Sequence, residues 1–298
     1  MRIALFGRRR IMTHAIFTVL SCSLLFRQLA RARLFIHQQT HTQIQFTDLA
    51  NNKLKVIEGL SGLSQLQKLD LGANRIRTLP PKELAGLTSL TELWLGKNKI
   101  ESMEGLEALT TKTLRRLDIQ SNRLTAIDVL PGHLQETLEE FYLADNGIDT
   151  AGLAGLQEGN FPVLNVLDLS KNRLTDCRPL AHLVSLEELW LSGNRVSSWA
   201  DEVDGLVTLV NLETIYLEYN PIAKSDPLYR KHLAELFQGG KLSQIDADPI
   251  GPSGRAGGGL ALDRAAELRR LQAQVLEKAR LETEQFKESK EGEEPSTS

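Results

Sequence analysis

One pattern, Leu-x-x-Leu-x-Leu-x-x-Asn-x-Leu, recurs along this chain and constrains its fold more than any other feature. Clear copies are Leu66, Leu69, Leu71, Asn74, Ile76, then Leu90, Leu93, Leu95, Asn98, Ile100, and Leu114, Leu117, Ile119, Asn122, Leu124. The series continues through Asn146, Asn172, Asn194 and Asn220, and a weaker copy lies upstream at Ile44, Thr47, Leu49, Asn52 and Leu54. Successive asparagines are 22, 24, 24, 24, 26, 22 and 26 residues apart. A unit this short cannot bury its own apolar face, so the copies must stack and share one continuous core.

The pattern is that of a leucine-rich repeat, and it predicts an α/β fold: a solenoid whose Leu-x-Leu segments form a parallel sheet lining a concave face. Asparagine falls where the chain leaves the strand and bends. Its amide can satisfy backbone groups of its own turn and of a neighbour, which would otherwise cost roughly 1–3 kcal/mol each when buried. Five residues after asparagine the convex side is apolar again at Ile57, Leu79, Met103, Ile127, Cys177 and Trp199, with Ala151 as the small exception. Cys177 therefore reads as core, not as a reactive thiol.

The repeats are expected over 44–224, closed by a cap over 225–248. In that cap Ser225 or Asp226 is expected to N-cap a helix, Leu233, Leu236 and Phe237 to cover the last repeat, and Gly239-Gly240 to end it. Residues 249–259 (PIGPSGRAGGG) have linker composition, 260–286 read as an extra amphipathic helix around Leu268, Leu271 and Val275, and 287–298 as a disordered polar tail. Residues 1–43 are arginine-rich, with an apolar run from Ile11 to Phe26. That segment suits a presequence or secretory signal core, or else an artefactual, dispensable start; its foreign composition favours the second.

Net charge is −3, but residues 1–47 hold seven arginines and no acid, leaving 28 basic against 38 acidic residues, or −10, for the rest. An acidic body is ill suited to nucleic acid. Cys22 and Cys177 make neither a disulfide framework nor a zinc motif. No phosphate-binding loop, nucleophile elbow or HExxH is present, the six histidines are scattered, and Gly257, Gly258 and Gly259 follow no strand. The expectation is a non-enzyme with no cofactor and no metal.

The residue four before each asparagine points into the hollow, and it runs Asp48, Asp70, Trp94, Asp118, Tyr142, Asp168, Trp190, Tyr216. Every member is aspartate or a large aromatic, and the four aromatics are expected to face solvent. Tolerance of any side chain on an exposed strand does not yield this composition, whereas aromatic anchors of a protein-binding surface do. Glu92, Glu139, Glu140, Glu187, Glu188 and Glu213 flank the column against Lys68, Arg115 and Arg116, so the whole hollow is expected to be acidic and its partner basic with apolar sockets.

The segments LEELWLSGNRVSSW (186–199) and NLETIYLEYNPIAKSDPLYRKHL running to QIDAD (211–248) resemble the leucine-rich regulatory subunit of type-1 protein phosphatase, over about 44–248. The resemblance implies a nuclear and cytoplasmic scaffold that binds the phosphatase catalytic subunit through concave carboxylates and aromatics, which fall here on Asp70, Trp94, Asp168, Glu188, Trp190 and Tyr216. Asp118 and Tyr142 join this set from the column. The family has more repeats before Asn52 and usually stops soon after the cap. Two other readings stay open: an interaction module of a spliceosomal or axonemal complex, and a secreted receptor if the N-terminal segment is a true signal.

Overall fold

The computed structural model describes residues 44–250 apart from Glu158, Ala200 and Asp201. Eight three-residue strands fall one per repeat: β1 (Phe46–Asp48), β2 (Lys68–Asp70), β3 (Glu92–Trp94), β4 (Arg116–Asp118), β5 (Glu140–Tyr142), β6 (Val166–Asp168), β7 (Glu188–Trp190) and β8 (Thr214–Tyr216). Each pairs in parallel with the next and without a register slip, so equivalent residues stand in straight columns. The central residue of each strand points inward: Leu69, Leu93, Leu117, Phe141, Leu167, Leu189 and Ile215 are 0% exposed. Complete burial of a side chain this size stabilises by about 1.5–3 kcal/mol, and stacking makes that burial possible. The chain is an α/β leucine-rich repeat solenoid.

The asparagines tie each turn to the one before it. Asn98 donates from Nδ2 to Leu71 O (3.0 Å), Leu95 O (2.9 Å) and Gly96 O (3.3 Å), while its Oδ1 accepts the Ile76 N–H (3.0 Å). The residue before asparagine is left-handed throughout: Asn51, Ala73, Lys97, Ser121, Asp145, Lys171 and Tyr219 have φ of 52–60°, and Gly193 has φ 70°. A non-glycine residue there costs about 1–2 kcal/mol. Backbone bonds between repeats, such as Ala73 N–H to Gly96 O (2.8 Å), hold it in place.

The return path on the convex side is built from single turns: α1 (Pro81–Leu84), α2 (Gly132–Gln135), α3 (Ala154–Gln157) and short 3-10 segments. Gly105 sits there at φ 103°, and a Cβ would lie 1.9 Å from Leu79 O, so only glycine fits. Ile57, Leu79, Met103, Ile127 and Cys177 are at most 4% exposed. Burial pushes the Cys177 thiol up to about 12, which keeps it protonated and inert. Trp199 departs from the expected core column. It is half-buried, because its ring packs edge-on against His232 (5.7 Å) and its Nε1–H donates to Asp226 Oδ2 (2.9 Å).

The cap differs from the expected one at its start. Ser225 ends a separate helix, α4 (Pro221–Ser225), and the residue before α5 (Tyr229–Leu236) is Leu228, so neither Ser225 nor Asp226 is the N-cap. Asp226 instead accepts the Leu228 N–H (2.8 Å) and pins Trp199 and His232, whose Nδ1 lies 2.6 Å from Asp226 Oδ2. Leu233 and Phe237 are buried against the last repeat, and Leu236 is half-buried. The chain then adds β9 (Gln244–Ile245) in parallel to β8 and folds β10 (Asp248–Pro249) back antiparallel on β9. The expected linker thus loses its first residue, Pro249, to a strand. Asp246 fixes this corner: 4% exposed, it accepts the Leu217 and Glu218 N–H groups, the Tyr229 hydroxyl and an Arg230 N–H. The N-terminal segment 1–43, the remaining linker, the helix at 260–286 and the tail at 287–298 lie outside the described residues.

Candidate functional site

Each strand offers its first and third residues to the hollow, so the parallel register builds two columns there. The third residues are the aspartate-and-aromatic column. The first residues run Lys68, Glu92, Arg116, Glu140, Val166, Glu188 and Thr214, and Gln244 extends them onto β9. The aromatics are half-buried, and each is held by its polar end. Trp94 Nε1–H donates to Glu92 Oε2 (3.2 Å), the Tyr142 hydroxyl to Glu140 Oε2 (2.6 Å), and Trp190 Nε1–H to Glu188 Oε2 (3.2 Å). Tyr142, Trp190 and Tyr216 form one edge-to-face cluster, with centroids 6.4 and 5.5 Å apart and interplanar angles of 69° and 62°. Trp94 stands apart from them with the Arg116 guanidinium 5.5 Å over its ring.

The column does not face solvent throughout: two of its four aspartates are buried, while Asp48 is exposed and Asp70 half-buried. Asp118 and Asp168 are each 6% exposed. Their Oδ1 atoms accept the backbone N–H two residues on, from Gln120 and Ser170 (both 2.9 Å), as Asp48 does from Ala50 (2.9 Å) and Asp70 from Gly72 (2.8 Å). Aspartate therefore ends the strand by satisfying the first turn donor. Tyr142 and Trp190 sit two strands apart, about 9.6 Å if upright, so rings 6.4 Å apart lean together over Asp168. Burial pushes the carboxyls of Asp70, Asp118 and Asp168 above the usual aspartate range. Of the expected contact residues, Trp94, Tyr142, Glu188, Trp190, Tyr216 and the half-buried Asp70 are open to a partner, while Asp118 and Asp168 lie beneath the surface.

The acidic charge of the hollow is unevenly spread, and that localises the site. On the N-terminal strands the acids are neutralised across the sheet: Lys68 to Glu92 (2.6 Å), Arg115 to Glu139 (2.8 Å) and Arg116 to Glu140 (2.6 Å). Burial alone would raise Glu140, but the bonds from Arg116 and Tyr142 outweigh it and hold that carboxyl below its ordinary value. Glu187, Glu188 and Glu213, on and beside β7 and β8, have no ion pair among the described residues. Carboxylates without an ion pair thus gather at β7 and β8, where the Trp190 and Tyr216 rings of the aromatic cluster stand.

The sequence reading missed Gln244, which lies past the last repeat, and Tyr219, which is 80% exposed in its left-handed turn. A glutamate two residues before an aromatic, in ELW, EFY and ELW, was a legible signal for the tethers. Among the described residues no group of three or more His, Cys, Asp or Glu could hold a metal ion. No described helix is long and apolar enough to cross a membrane.

Comparison with known proteins agrees with this architecture. A leucine-rich repeat family model matches residues 48–100, and one for two copies of the repeat matches 162–202. The chain is 39% identical over 92 residues to the centrosomal protein of 72 kDa of Mus musculus, covering 31% of this chain and 14% of that protein. It is 42% identical over 71 residues to the protein phosphatase 1 regulatory subunit SDS22 of Schizosaccharomyces pombe, covering 24% and 21%. It is 35% identical over 98 residues to a dynein axonemal assembly factor 1 homolog of Drosophila melanogaster, covering 32% and 6%. The matches thus span between 6% and 21% of these relatives. A leucine-rich repeat protein of Leptospira interrogans superposes with a TM-score of 0.57 at 25% identity, over 70% of this chain and 50% of that one. These findings identify leucine-rich repeats in this chain.

Proposed function

We propose that this module is a non-catalytic regulatory scaffold, nuclear and cytoplasmic, whose concave face binds the catalytic subunit of type-1 protein phosphatase. The observation that carries the reading is the coincidence, at β7 and β8, of the Trp190–Tyr216 end of the aromatic cluster with Glu187, Glu188 and Glu213, which have no ion pair among the described residues. Ordered aromatic anchors ringed by uncompensated carboxylates fit a partner that offers apolar sockets within a basic surface. The similarity to the SDS22 regulatory subunit supports that choice of partner. The matches to a centrosomal and an axonemal protein favour a second reading, the same face serving another assembly.

Calorimetric titration of the phosphatase catalytic subunit separates the two. Trp190→Ala removes the middle ring of the cluster, so binding should weaken by about 2 kcal/mol or more while the melting temperature holds. Unchanged affinity, or no binding by the wild-type chain, would reject the phosphatase reading.

A further inference from the structure

Three of the four column aromatics are held by a glutamate two residues earlier on their own strand: Glu92 for Trp94, Glu140 for Tyr142 and Glu188 for Trp190. Tyr216 breaks the rule. The residue two before it is Thr214, which has no bond to it among the described residues, and its hydroxyl instead accepts the Nε2–H of Gln244 on β9, at 3.0 Å. Gln244 stands in register with Thr214, at the next step of the column that carries Glu140 and Glu188. Its amide is fixed by a second bond to Asp246 O (2.8 Å). Asp246 is buried under Tyr229 and Arg230 of α5. The cap is therefore joined to the end member of the aromatic cluster.

We infer that the cap strand is part of the recognition surface and that Gln244 is a positioning residue: it holds the Tyr216 ring against Trp190 in the orientation a partner meets. This deepens the concave-face reading above and rests on it for the identity of the partner, whereas the positioning itself is a property of the free chain. A tyrosine ring fixed at its hydroxyl loses less freedom on binding than one that swings, so the tether contributes to affinity without touching the partner. It also makes the site one strand wider than the repeats alone provide.

Two measurements on the full chain test this. In the free protein labelled with 3-fluorotyrosine, the Tyr216 resonance, assigned by its loss in Tyr216→Phe, should shift and sharpen in Gln244→Leu while the melting temperature holds. A resonance unchanged by Gln244→Leu overturns the inference whether or not any phosphatase binds. In titrations with the phosphatase catalytic subunit, Gln244→Leu and Tyr216→Phe should each weaken binding by about three- to tenfold, and the double variant no more than either. Losses that multiply would mean that Gln244 acts through Asp246 and not through the ring, and would also overturn it. If the resonance shifts and Trp190→Ala leaves binding intact, the positioning stands and the phosphatase reading alone fails.

Discussion

Replacing Asn172 by leucine tests the idea that the asparagine ladder, as much as the apolar core, holds the solenoid together. The side chain is 6% exposed and makes four bonds: its Oδ1 accepts the Ile148 N–H (3.1 Å), and Nδ2 donates to Leu143 O (3.0 Å), Leu169 O (3.0 Å) and Ser170 O (3.2 Å). The losses are unequal. Leu143 O keeps Asn146 Nδ2 (3.0 Å), Leu169 O keeps Asn194 Nδ2 (2.9 Å), and Ser170 O keeps the Asp145 N–H (2.8 Å). The Ile148 N–H has no second acceptor among the described residues. One stranded donor costs about 1–3 kcal/mol and each thinned carbonyl about 0.5, so the sum is about 3 kcal/mol. For a domain of this size that lowers Tm by about 6–12 °C. Asn52 is the internal control, since among the described residues it makes only two bonds, donating to Leu49 O (2.9 Å) and Ala50 O (3.1 Å), and Leu49 O is also bonded by Asn74. Asn52→Leu should cost under about 1 kcal/mol. Paired thermal and urea melts decide the matter, and equal losses at both sites would refute the reasoning.

Three further outcomes follow from the geometry. Asp168 has its pKa raised by burial, so its contribution to stability is fully present below the unfolded value near 3.9 and is lost as pH rises through the higher folded value. Asp168→Asn, which keeps an acceptor for Ser170, should be the more stable chain at pH 7, with the gap closing below about pH 4; a gap that widens on acidification contradicts this. Cys177 should resist alkylation in the native state at pH 8 and react only after unfolding, as peptide mass mapping would reveal; rapid native labelling would mean the convex core opens easily. Reversing Glu187 and Glu213 to lysine should slow association with the phosphatase about tenfold at low ionic strength and less at high, while Glu92→Gln leaves the rate nearly unchanged. Equal effects on both sides would show that the cross-strand pairs do not neutralise the N-terminal half.

The fold was legible because the repeat states it eight times, and periodic burial is a local property of sequence: Leu69, Leu93 and Leu117 had to be inside wherever the strands lay. The site was legible only in part. That Trp190 and Tyr216 share a face follows from alternation, but that Tyr142 and Trp190 close over Asp168 depends on how two rings lean across a strand between them, which no spacing encodes. Charge misled for the same reason. Lys68, Arg115 and Arg116 could be counted against the acids, but that the register places them beside Glu92, Glu139 and Glu140, some 24 residues on, and leaves Glu187, Glu188 and Glu213 without an ion pair, is not written in a sum. Gln244 was invisible because the repeat pattern had ended, and the pairing of β9 with β8 arises from the cap's packing.

The asparagine ladder points one way. Asn74, Asn98, Asn122, Asn146, Asn172, Asn194 and Asn220 each accept an N–H from the turn before, at Leu54, Ile76, Ile100, Leu124, Ile148, Leu174 and Val196. A chain leaving the ribosome N-terminus first therefore completes each turn only when the following one emerges, and its newest turn is always one acceptor short. Synthesis can stop cleanly only where something other than another repeat satisfies the final turn. Here the equivalent donor, the Ile222 N–H, turns back to Val196 O (3.0 Å), and from within the cap Asp246 accepts the strand-end N–H groups of Leu217 and Glu218. A nascent chain arrested before residue 246 should thus carry a frayed last repeat even with all its leucines in place, and the wait for closure is set by the time needed to translate the 26 residues from Asn220 to Asp246.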